Sequence, residues 1–593
     1  MTTLRSALSQ FVNHPRLPWR LALLVAVLSL PALTVGYQAD DWSHQALIRQ
    51  AAPWAQQRDP ISDLFTFFDG IPEHTAEMRD RGVTPWWTPL DLKMSFWRPF
   101  TALTHIADHH LAPGVAWVAH VHSIIWMVLL ALLAGFFYRK VHGPGTVAGL
   151  AALLYAVDEA HAVPAAWLAN RNALIAGALG LAVLLLHMRW RQDRSAPSAI
   201  LAPAVFAVAL LSGESALATS AWLFAFALFL DAGSLRTRLA TLLPYAAIAV
   251  GWRALYTHLG YGTQGSGLYI DPLTEPANFL IAAATRVPVL WADQFLSLPS
   301  VIVTFVPRFV TISIAVLSVA FLIPLGVVLA RTLRGSRTAA FYVVGMALST
   351  VQVAATFPSA RLLTFAGLGG AGLVAELLAR ALPRDRAAGE PPRDPSPWAQ
   401  RWAGALAFLH LLVAPPAFAL TAWAIGPLLS LTFSPCDSAF TTAPEVTQKD
   451  VIFVNSGELC VSHVSIVRAV KGLPRPRTTH MLASRLYAME VTGIDDHTIE
   501  LHIPVGMQSG AADSLLRQRN DPIEVGTRIP VIGMTAEVVS WNERGLVDRV
   551  RFSFERSLWD PDMIWFCTGK RAITTFVPPR PGEVVSLLSA SDR

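Results

Sequence analysis

Two adjacent carboxylates follow the first strongly apolar stretch of this chain. Asp40 and Asp41 stand in Gly36-Tyr-Gln-Ala-Asp-Asp-Trp42, directly after an apolar run at residues 20–36. A carboxylate at the membrane surface can act as a general base and take the proton of a hydroxyl group. The same pair can instead cap a helix that opens at Trp42, because aspartate is a favoured N-cap residue. The spacing alone leaves both interpretations open.

The polar region after this pair carries an arginine and several histidines. Arg98 stands in Phe96-Trp-Arg-Pro-Phe100, whose aromatic residues are typical of a membrane interface. His105, His109 and His110 follow at spacings i, i+4 and i+5. Histidines can bind a metal ion, but on an amphipathic interfacial helix they more often face solvent or cap the helix. We therefore expect no metal site and no cofactor here, while a divalent ion near the outer carboxylates stays an open alternative.

A second polar cluster occupies the short segment 158–171 between two apolar runs. It contains Asp158, His161, Asn170 and Arg171. Polar groups at this depth are costly unless they contact one another or line a water-filled cavity. The segment is therefore predicted to contribute to a functional site.

Two more ionisable residues stand at the ends of apolar runs. Glu214 follows Ser212-Gly213, and Arg361 precedes a run that starts with Leu362. A guanidinium group at this level can bind a phosphate through two parallel hydrogen bonds. Snorkelling of the arginine to lipid headgroups is the alternative interpretation.

The composition indicates which elements must position these residues. Of the 593 residues, 53% are hydrophobic and 15% are charged, and the mean hydropathy is +0.44. Such values are typical of a chain whose main solvent is lipid. The formal net charge is +5, but the basic residues lie mostly at the ends of apolar runs, which indicates membrane topology. We therefore predict a polytopic α-helical membrane protein that contacts membrane lipids and binds no nucleic acid.

Apolar windows long enough to cross the hydrocarbon core predict about eleven transmembrane helices. The windows are 20–36, 115–138, 143–157, 172–188, 198–212, 216–231, 238–257, 309–331, 339–357, 362–382 and 402–434. The first window lacks a small-x-small cleavage site and is therefore kept as a helix. The segment 277–299 is apolar but contains Arg286, Asp293 and two prolines, so it is predicted to be re-entrant or interfacial.

Basic residues at the window ends predict the orientation, because loops rich in lysine and arginine stay in the cytoplasm. The segments then predicted to lie outside are 37–114, 158–171, 258–308, 358–361 and everything after about 435. The predicted domains are a cytoplasmic N-terminus (1–19), a transmembrane domain (20–385) with the outer loop 37–114, a cytoplasmic linker (386–401), a last transmembrane helix (402–434) and an extracytoplasmic domain (435–593). The protein is thus expected in the cell inner (plasma) membrane.

The C-terminal segment after residue 435 has a different pattern from the rest. It contains compact or alternating apolar runs separated by Gly, Asp and Asn, namely 451–454, 498–503, 528–532 and 547–554. These runs predict a small β-rich sandwich or barrel with a structural or acceptor-presenting role.

All three cysteines, Cys436, Cys460 and Cys567, fall in this C-terminal segment. Three thiols allow one disulfide with a spare cysteine. A disulfide persists in an oxidising compartment, which agrees with an extracytoplasmic domain.

The order of the polar motifs resembles that of the GT-C superfamily of integral-membrane glycosyltransferases. The likeness covers about residues 15–385 and is strongest with protein O-mannosyltransferase-like and related bacterial enzymes that use polyprenyl-phosphate sugars. The motifs that carry it are Asp40-Asp41, Trp97-Arg-Pro99, Trp167-Leu-Ala-Asn-Arg171, Ser212-Gly-Glu214 and Ala360-Arg-Leu362.

The resemblance implies a hexosyltransferase with an extracytoplasmic active site. Its donor would be a polyprenyl-phosphate-linked sugar, and its acceptor an extracytoplasmic protein, glycan or lipid. Asp40 would be the catalytic base in an inverting displacement, and Asp41 would orient it or contact the acceptor. The groups implied to bind donor phosphate or substrate, or to order the loops, are Arg98, Arg171, Arg361, Asn170, Glu214, Asp158 and His161.

The sequence departs from the look-alikes at two positions, Gly213 before Glu214 and Ala360 before Arg361, so the sugar is not predicted. Two other classes of protein remain open. A transporter or flippase would place ionisable groups near the bilayer midplane and show repeated halves, whereas here the charges gather at one face. A non-catalytic envelope scaffold would tolerate the loss of Asp40.

Overall fold

The computed structural model describes residues 2–56, 58–381, 396–433, 435–438, 447–485, 487–508, 512–518, 520–569 and 573–589. Most of the predicted cytoplasmic linker, 386–395, lies outside these ranges. The last long helical segment begins at Pro397, five residues before the predicted boundary at 402.

A helical part extends from the N-terminus to Phe433. Its helices are α1 (Thr2–Val12), α2 (Leu17–Ser29), α3 (Asp40–Ile48), α4 (Pro60–Asp63), α5 (Pro72–Asp80), α6 (Pro99–Leu111), α7 (Ala116–His142), α8 (Thr146–Ala156), α9 (Ala162–Ala166), α10 (Arg171–Asp193), α11 (Ala196–Leu210), α12 (Ala218–Phe229), α13 (Leu235–Ala240), α14 (Leu243–His258), α15 (Pro276–Leu296), α16 (Arg308–Thr332), α17 (Arg337–Val353), α18 (Ala366–Ala381), α19 (Pro397–Phe408) and α20 (Ala414–Phe433). A short π-helical stretch joins α19 to α20.

Each predicted transmembrane window contains helix, which confirms the polytopic helical architecture. Within the described ranges, seven helical segments are long and apolar enough to cross a membrane, or eight if α8 and the bent segment after it form one span. This number is lower than eleven because α11, α12, α17 and α18 have only 15, 12, 17 and 16 residues. A perpendicular crossing takes about 20 residues.

Helix α15 is one continuous helix of 21 residues and is among the seven long segments, which differs from a re-entrant loop. Its contacts nevertheless lie with segments predicted to be outside. Arg286 Nη1 donates to the carbonyl of Ala354 over 2.9 Å, close to segment 358–361. Gln294 Nε2 donates to Asp158 Oδ2 over 2.8 Å. Both halves of α15 therefore contact segments that are predicted to lie outside.

The interior of the helical part is closely packed around aromatic side chains. Trp222 and Tyr342 are fully buried, and a Cβ at Gly345 or Gly372 would meet their rings at 2.6 Å. Glycine therefore allows α17 and α18 to approach these aromatic residues. Helix α16, in contrast, exposes large apolar side chains such as Phe309 and Ile323, as expected of a surface that faces lipid.

The segments predicted to share the outer side contact one another. Strands β1 (Thr66–Asp69), β2 (Lys93–Ser95) and β3 (Gly262–Gln264) form an antiparallel sheet that joins loop 37–114 to segment 258–308. Arg361, from segment 358–361, lies over the ring of Trp167 in segment 158–171. The loops that carry the candidate site residues thus form a single layer.

The C-terminal part is β-rich, as predicted, and the four predicted runs all contain strands. The strands are β4 (Asp450–Ser456), β5 (Thr478–Ser484), β6 (Met489–Gly493), β7 (Thr498–His502), β8 (Arg528–Val531), β9 (Met534–Trp541), β10 (Val547–Phe554), β11 (Met563–Thr568), β12 (Ile573–Thr575) and β13 (Val584–Leu587). They form a six-stranded antiparallel sheet, β13-β6-β7-β10-β9-β8, and a four-stranded sheet, β12-β11-β4-β5.

The domain also contains helix α22 (Glu458–Val470), after the short helix α21 (Pro435–Ser438). Helix α22 connects the parallel strands β4 and β5, so this sheet has a β-α-β unit that a plain sandwich or barrel lacks. Cys436 and Cys460 form a disulfide between α21 and α22, and Cys567 is a buried free thiol. The bridge ties the end of the helical part to the β-rich domain.

Loop 37–114 is packed into the β-rich domain. Trp86 and Trp87 are buried in its hydrophobic core, and Trp86 Nε1 donates to the carbonyl of Leu482 over 3.1 Å. Because these aromatic anchors come from the loop that carries Asp40, the domain and the candidate site lie on the same side of the helical part.

Candidate active site

Asp40 is the first residue of helix α3, and the backbone just before it is strained. The N-cap residue is Ala39, with φ 47° and ψ −120° and no capping hydrogen bond from its side chain. A non-glycine residue in such a conformation costs about 1–3 kcal/mol and is found most often at functional sites. Asp40 is therefore not the helix cap, which leaves its carboxylate available for another role.

Asp41 is fully engaged by the protein. Its Oδ2 accepts the backbone N–H of Gln38 over 2.9 Å, and its Oδ1 accepts that of Ala169 over 2.7 Å. The side chain is buried. Asp41 is not the N-cap either, because that position is Ala39, so the capping interpretation is wrong for both aspartates. Asp41 instead joins the start of α3 to segment 158–171.

The carboxyl group of Asp40, in contrast, makes no hydrogen bond with any described residue and is partly exposed. Burial raises the pKa of Asp40 to about 6, against the opposing charges of Arg361 and Arg98. Burial raises the pKa of Asp41 to about 8, against its two backbone hydrogen bonds. As the pH rises, Asp40 is therefore the first of the adjacent pair to ionise, as a general base near neutral pH must.

Arg361 presents a guanidinium group that is held by aromatic rings. Its Cζ lies 5.4 Å from the ring centre of Trp167 and 5.2 Å from that of Phe357, at cation–π distance. It forms no ion pair and no hydrogen bond with the residues that the structure describes. Its charge lowers the pKa of Asp40. Trp167 under this guanidinium belongs to the same segment, 158–171, that Asp41 binds through Ala169, so Arg361 and Asp40 both lie next to that segment.

Arg98 already has an anionic partner. Its Nε and Nη2 both lie 2.8 Å from Glu214 Oε2, and its Cζ lies 4.7 Å from the ring centre of Phe96. The other carboxylate oxygen of Glu214 accepts the hydroxyl of Tyr256 over 3.4 Å. Two predicted site residues from distant motifs thus meet as one ion pair.

Arg171 lies inside the protein with an exposed fraction of 0%. Its Nη1 lies 2.6 Å from Asp108 Oδ2, its Nε donates to Ser123 Oγ over 2.9 Å, and its Nη2 donates to the carbonyl of Ala119 over 2.7 Å. Of the two roles expected for this residue, these contacts agree with loop ordering.

The other predicted residues of segment 158–171 are also held by protein partners. Asp158 Oδ1 accepts the backbone N–H of Ala160 over 3.0 Å and so caps a short 3₁₀-helix. His161 is buried with its ring centre 4.6 Å from that of Tyr155. Asn170 Nδ2 lies 3.4 Å from Asn172 Oδ1. The residues of this segment therefore hold one another and their neighbours in place. Asp158 also accepts a hydrogen bond from Gln294 of α15.

Two buried histidines, His44 on α3 and His105 on α6, pack against each other. His44 and His105 have ring centres 5.2 Å apart, with Phe65 against both. Burial and the charges of Arg98 and Arg171 lower the pKa of His44 to about 3, so its ring is neutral. Among the described residues, no group of three or more His, Cys, Asp or Glu is arranged to hold a metal ion. Sequence reasoning did not single out His44, because a lone histidine in an amphipathic segment carries no signal.

Trp42 connects the site to the β-rich domain. Its ring centre lies 6.3 Å from that of His463 on α22, and Lys471 Nζ lies 5.1 Å from it. This contact could not be predicted from the sequence, because residues so far apart leave no local pattern. The C-terminal domain therefore closes over the helix that begins with Asp40.

No family model matches this chain, and no curated protein does. Several solved structures are similar to it. ArnT from Cupriavidus metallidurans bound to undecaprenyl phosphate is 13% identical, with a TM-score of 0.33 over 78% of this chain and 89% of that one. The apo form of the same protein is 14% identical, with a TM-score of 0.34 over 78% and 84%.

The oligosaccharyltransferase from Archaeoglobus fulgidus, tethered with an acceptor peptide, is also similar. It is 13% identical, with a TM-score of 0.39 over 79% of this chain and 64% of that chain. Similarity at this level assigns neither an activity nor site residues to the present protein. Those rest on the geometry described above.

Proposed function

We propose that this protein is a membrane glycosyltransferase that moves a sugar from a polyprenyl-phosphate donor to an acceptor outside the cytoplasm. The observation that supports it best is the pairing of Asp40 and Arg361. One is a carboxylate and the other a guanidinium group, both side chains lack hydrogen-bonding partners among the described residues, and the charge of Arg361 lowers the pKa of Asp40. Such a pair is suited to take a proton at one end and to bind a phosphate at the other.

In the proposed reaction, an acceptor hydroxyl attacks the anomeric carbon of the donor sugar. A new carbon–oxygen bond forms there, and the bond to the phosphate oxygen breaks on the opposite face, so the configuration inverts. Asp40 takes the hydroxyl proton, and polyprenyl phosphate leaves with the bonding electrons. Arg361 stabilises the charge on the departing phosphate, where a fixed cation acts without reorganisation.

The remaining residues would position these two. Asp41 fixes the start of α3 against segment 158–171, and the Arg98–Glu214 pair holds loop 37–114 against the end of α11. We also propose that the N-terminus lies in the cytoplasm and that the β-rich domain lies on the opposite side of the membrane. The Cys436–Cys460 bridge supports this side assignment, because disulfides persist in oxidising compartments.

The test compares donor classes. Membranes containing the protein are incubated with radiolabelled polyprenyl-phosphate sugars or with the corresponding nucleotide sugars, after extraction of endogenous polyprenyl phosphate. Label is expected to reach an envelope acceptor from at least one lipid-linked sugar and from none of the nucleotide sugars. Transfer from nucleotide sugars alone, or from no donor in the panel, would refute the proposal.

A further inference from the structure

A groove lies between loop 37–114 and the β-rich domain and encloses about 370 Å³. Trp54 and Arg81 line it from the loop, and Ser465, Arg475, Arg477 and Thr479 line it from the domain. The volume falls within the range of small-molecule sites. The groove is separate from Asp40 and Arg361, so the proposed chemistry does not account for it.

The two walls of this groove are fixed by close packing. At Gly82, next to Arg81, φ is +65° and an added Cβ would lie 1.9 Å from the carbonyl oxygen of Thr479. Glycine is therefore needed for the loop to approach strand β5 this closely. With Trp86 anchored nearby in the domain, the groove is a built feature of the interface.

The lining combines an indole, hydroxyl groups and three guanidinium groups. Arg81 pairs with Glu77 over 2.8 Å, and Arg477 Nε donates to Asp450 Oδ1 over 2.9 Å. Arg475 is exposed and makes no ion pair or hydrogen bond with the described residues. The groove therefore carries one uncompensated positive charge beside an aromatic ring. A pyranose that bears a carboxylate or phosphate suits this combination, because its C–H face can stack on the indole while its anion meets the arginine.

The same basic loop also contacts helix α3, which begins with Asp40. It runs Lys471-Gly-Leu-Pro-Arg-Pro-Arg477, and Lys471 Nζ lies 5.1 Å from the ring centre of Trp42, two residues after Asp40. Four residues of extended chain span at most about 14 Å. Arg475 is therefore within that distance of Lys471, close enough for one extended ligand to contact both ends.

We infer that this groove binds the acceptor and that the acceptor is an anionic glycan, held by Arg475 and Trp54 while another of its hydroxyl groups lies at Asp40. The role of the ligand as acceptor rests on the proposed glycosyltransferase function. Binding of an anionic glycan in the groove can be tested by itself. A charge-assisted hydrogen bond contributes about 1.5–3 kcal/mol, so loss of Arg475 should weaken binding about tenfold or more.

The experiment uses the full-length protein in nanodiscs of neutral phosphatidylcholine. Binding of digalacturonate, glucose 6-phosphate and the neutral disaccharide lactose is measured by titration calorimetry for wild type, Arg475→Ala and Arg544→Ala. Arg544 is an exposed arginine of the same domain, outside the lining of the groove, so its loss removes the same charge elsewhere. We expect an anionic probe to bind wild type more tightly than lactose, to lose about tenfold in Arg475→Ala, and to be unaffected by Arg544→Ala. Comparison of the two anionic probes distinguishes carboxylate from phosphate.

Three results would overturn the inference. They are no binding of either anionic probe, equal weakening by both arginine variants, and unchanged binding in Arg475→Ala. None of them bears on donor use, because transfer from the lipid-linked sugar is assayed separately. Conversely, if the protein binds the anionic probe through Arg475 but transfers no sugar, the groove is a binding site and the proposed reaction is refuted.

Discussion

Asp41 accepts the backbone N–H of Ala169 over 2.7 Å, although 128 positions separate the two residues in the sequence. The other carboxylate oxygen of Asp41 accepts the N–H of Gln38 at the entrance to α3. One buried carboxyl group thus ties loop 37–114 to segment 158–171. Its neighbour Asp40 is left without such a bond, so the adjacent aspartates have different tasks.

Replacement of Asp41 should act through structure. Asp41→Ala leaves the N–H groups of Gln38 and Ala169 without an acceptor, and a buried unsatisfied donor costs about 1–3 kcal/mol. We expect a lower thermal unfolding temperature and lower transfer activity, with partial recovery of both in Asp41→Asn, which keeps one acceptor oxygen. The pH dependence of the remaining activity should match wild type. A changed pH profile with unchanged stability would instead place Asp41 in the proton transfer.

The pH dependence of kcat/KM should report Asp40. The base must be ionised, so activity should rise as the pH increases through the pKa of Asp40, which is about 6. Arg361 lowers that pKa, and Arg361→Ala should therefore move the rising limb to higher pH as well as lower the rate. Arg361→Lys keeps the positive charge and should leave the limb closer to its wild-type position. A limb that moves to lower pH in Arg361→Ala would contradict this account.

Arg171 should contribute to stability rather than to donor binding. Removing one partner of a buried ion pair costs about 3–5 kcal/mol, because the other charge is left uncompensated. Arg171→Met should therefore lower the unfolding temperature, because Asp108 Oδ2 loses its cation and the His122 ring, 2.7 Å from Oδ1, is left to hold Asp108. The double variant with Asp108→Asn should be less destabilised. Binding of polyprenyl phosphate to the folded fraction should be unchanged. A stable Arg171→Met protein that has lost this binding would show that Arg171 contacts the phosphate.

The disulfide should stabilise the junction between the helical part and the β-rich domain. Cys436 and Cys460 are 24 positions apart, and closing a loop of this size contributes about 3 kcal/mol. The double variant Cys436→Ser/Cys460→Ser should unfold at a lower temperature, whereas Cys567→Ser leaves the bridge intact. In cells, thiol labelling of wild type should require prior reduction at Cys436 and Cys460. Labelling without reduction would contradict the extracytoplasmic location of this domain.

The sequence predicted those features that depend on local pattern. Apolar windows located the helices, the spacing of Arg361 and Asp40 relative to them indicated a shared side, and alternating runs located strands such as β7 and β10. Helix α22 was missed although its buried residues Val461, Val464 and Val467 recur at helical spacing. The strand-like runs on either side of it led the interpretation of this segment.

Pairings between distant residues were beyond sequence reasoning. Arg98 and Glu214 were both selected, but nothing in their spacing shows that they neutralise each other. The burial of Arg171 against Asp108 is likewise set by how α6, α7 and α10 pack. The approach of Lys471 to Trp42 depends on the docking of a whole domain. Sequence patterns therefore indicate candidate residues, but the packing of distant segments determines which of these residues are already paired within the protein.

The central claim is that Asp40 is the base, and the most direct measurement is sugar transfer by Asp40→Asn. Wild type and variant are compared at equal membrane abundance and equal thermal unfolding temperature, with the lipid-linked donor that serves wild type best. Asparagine keeps the size of the side chain but cannot take the proton, so transfer should fall by about 10²-fold or more, while binding of polyprenyl phosphate is kept. Transfer at the wild-type rate by Asp40→Asn would contradict the account.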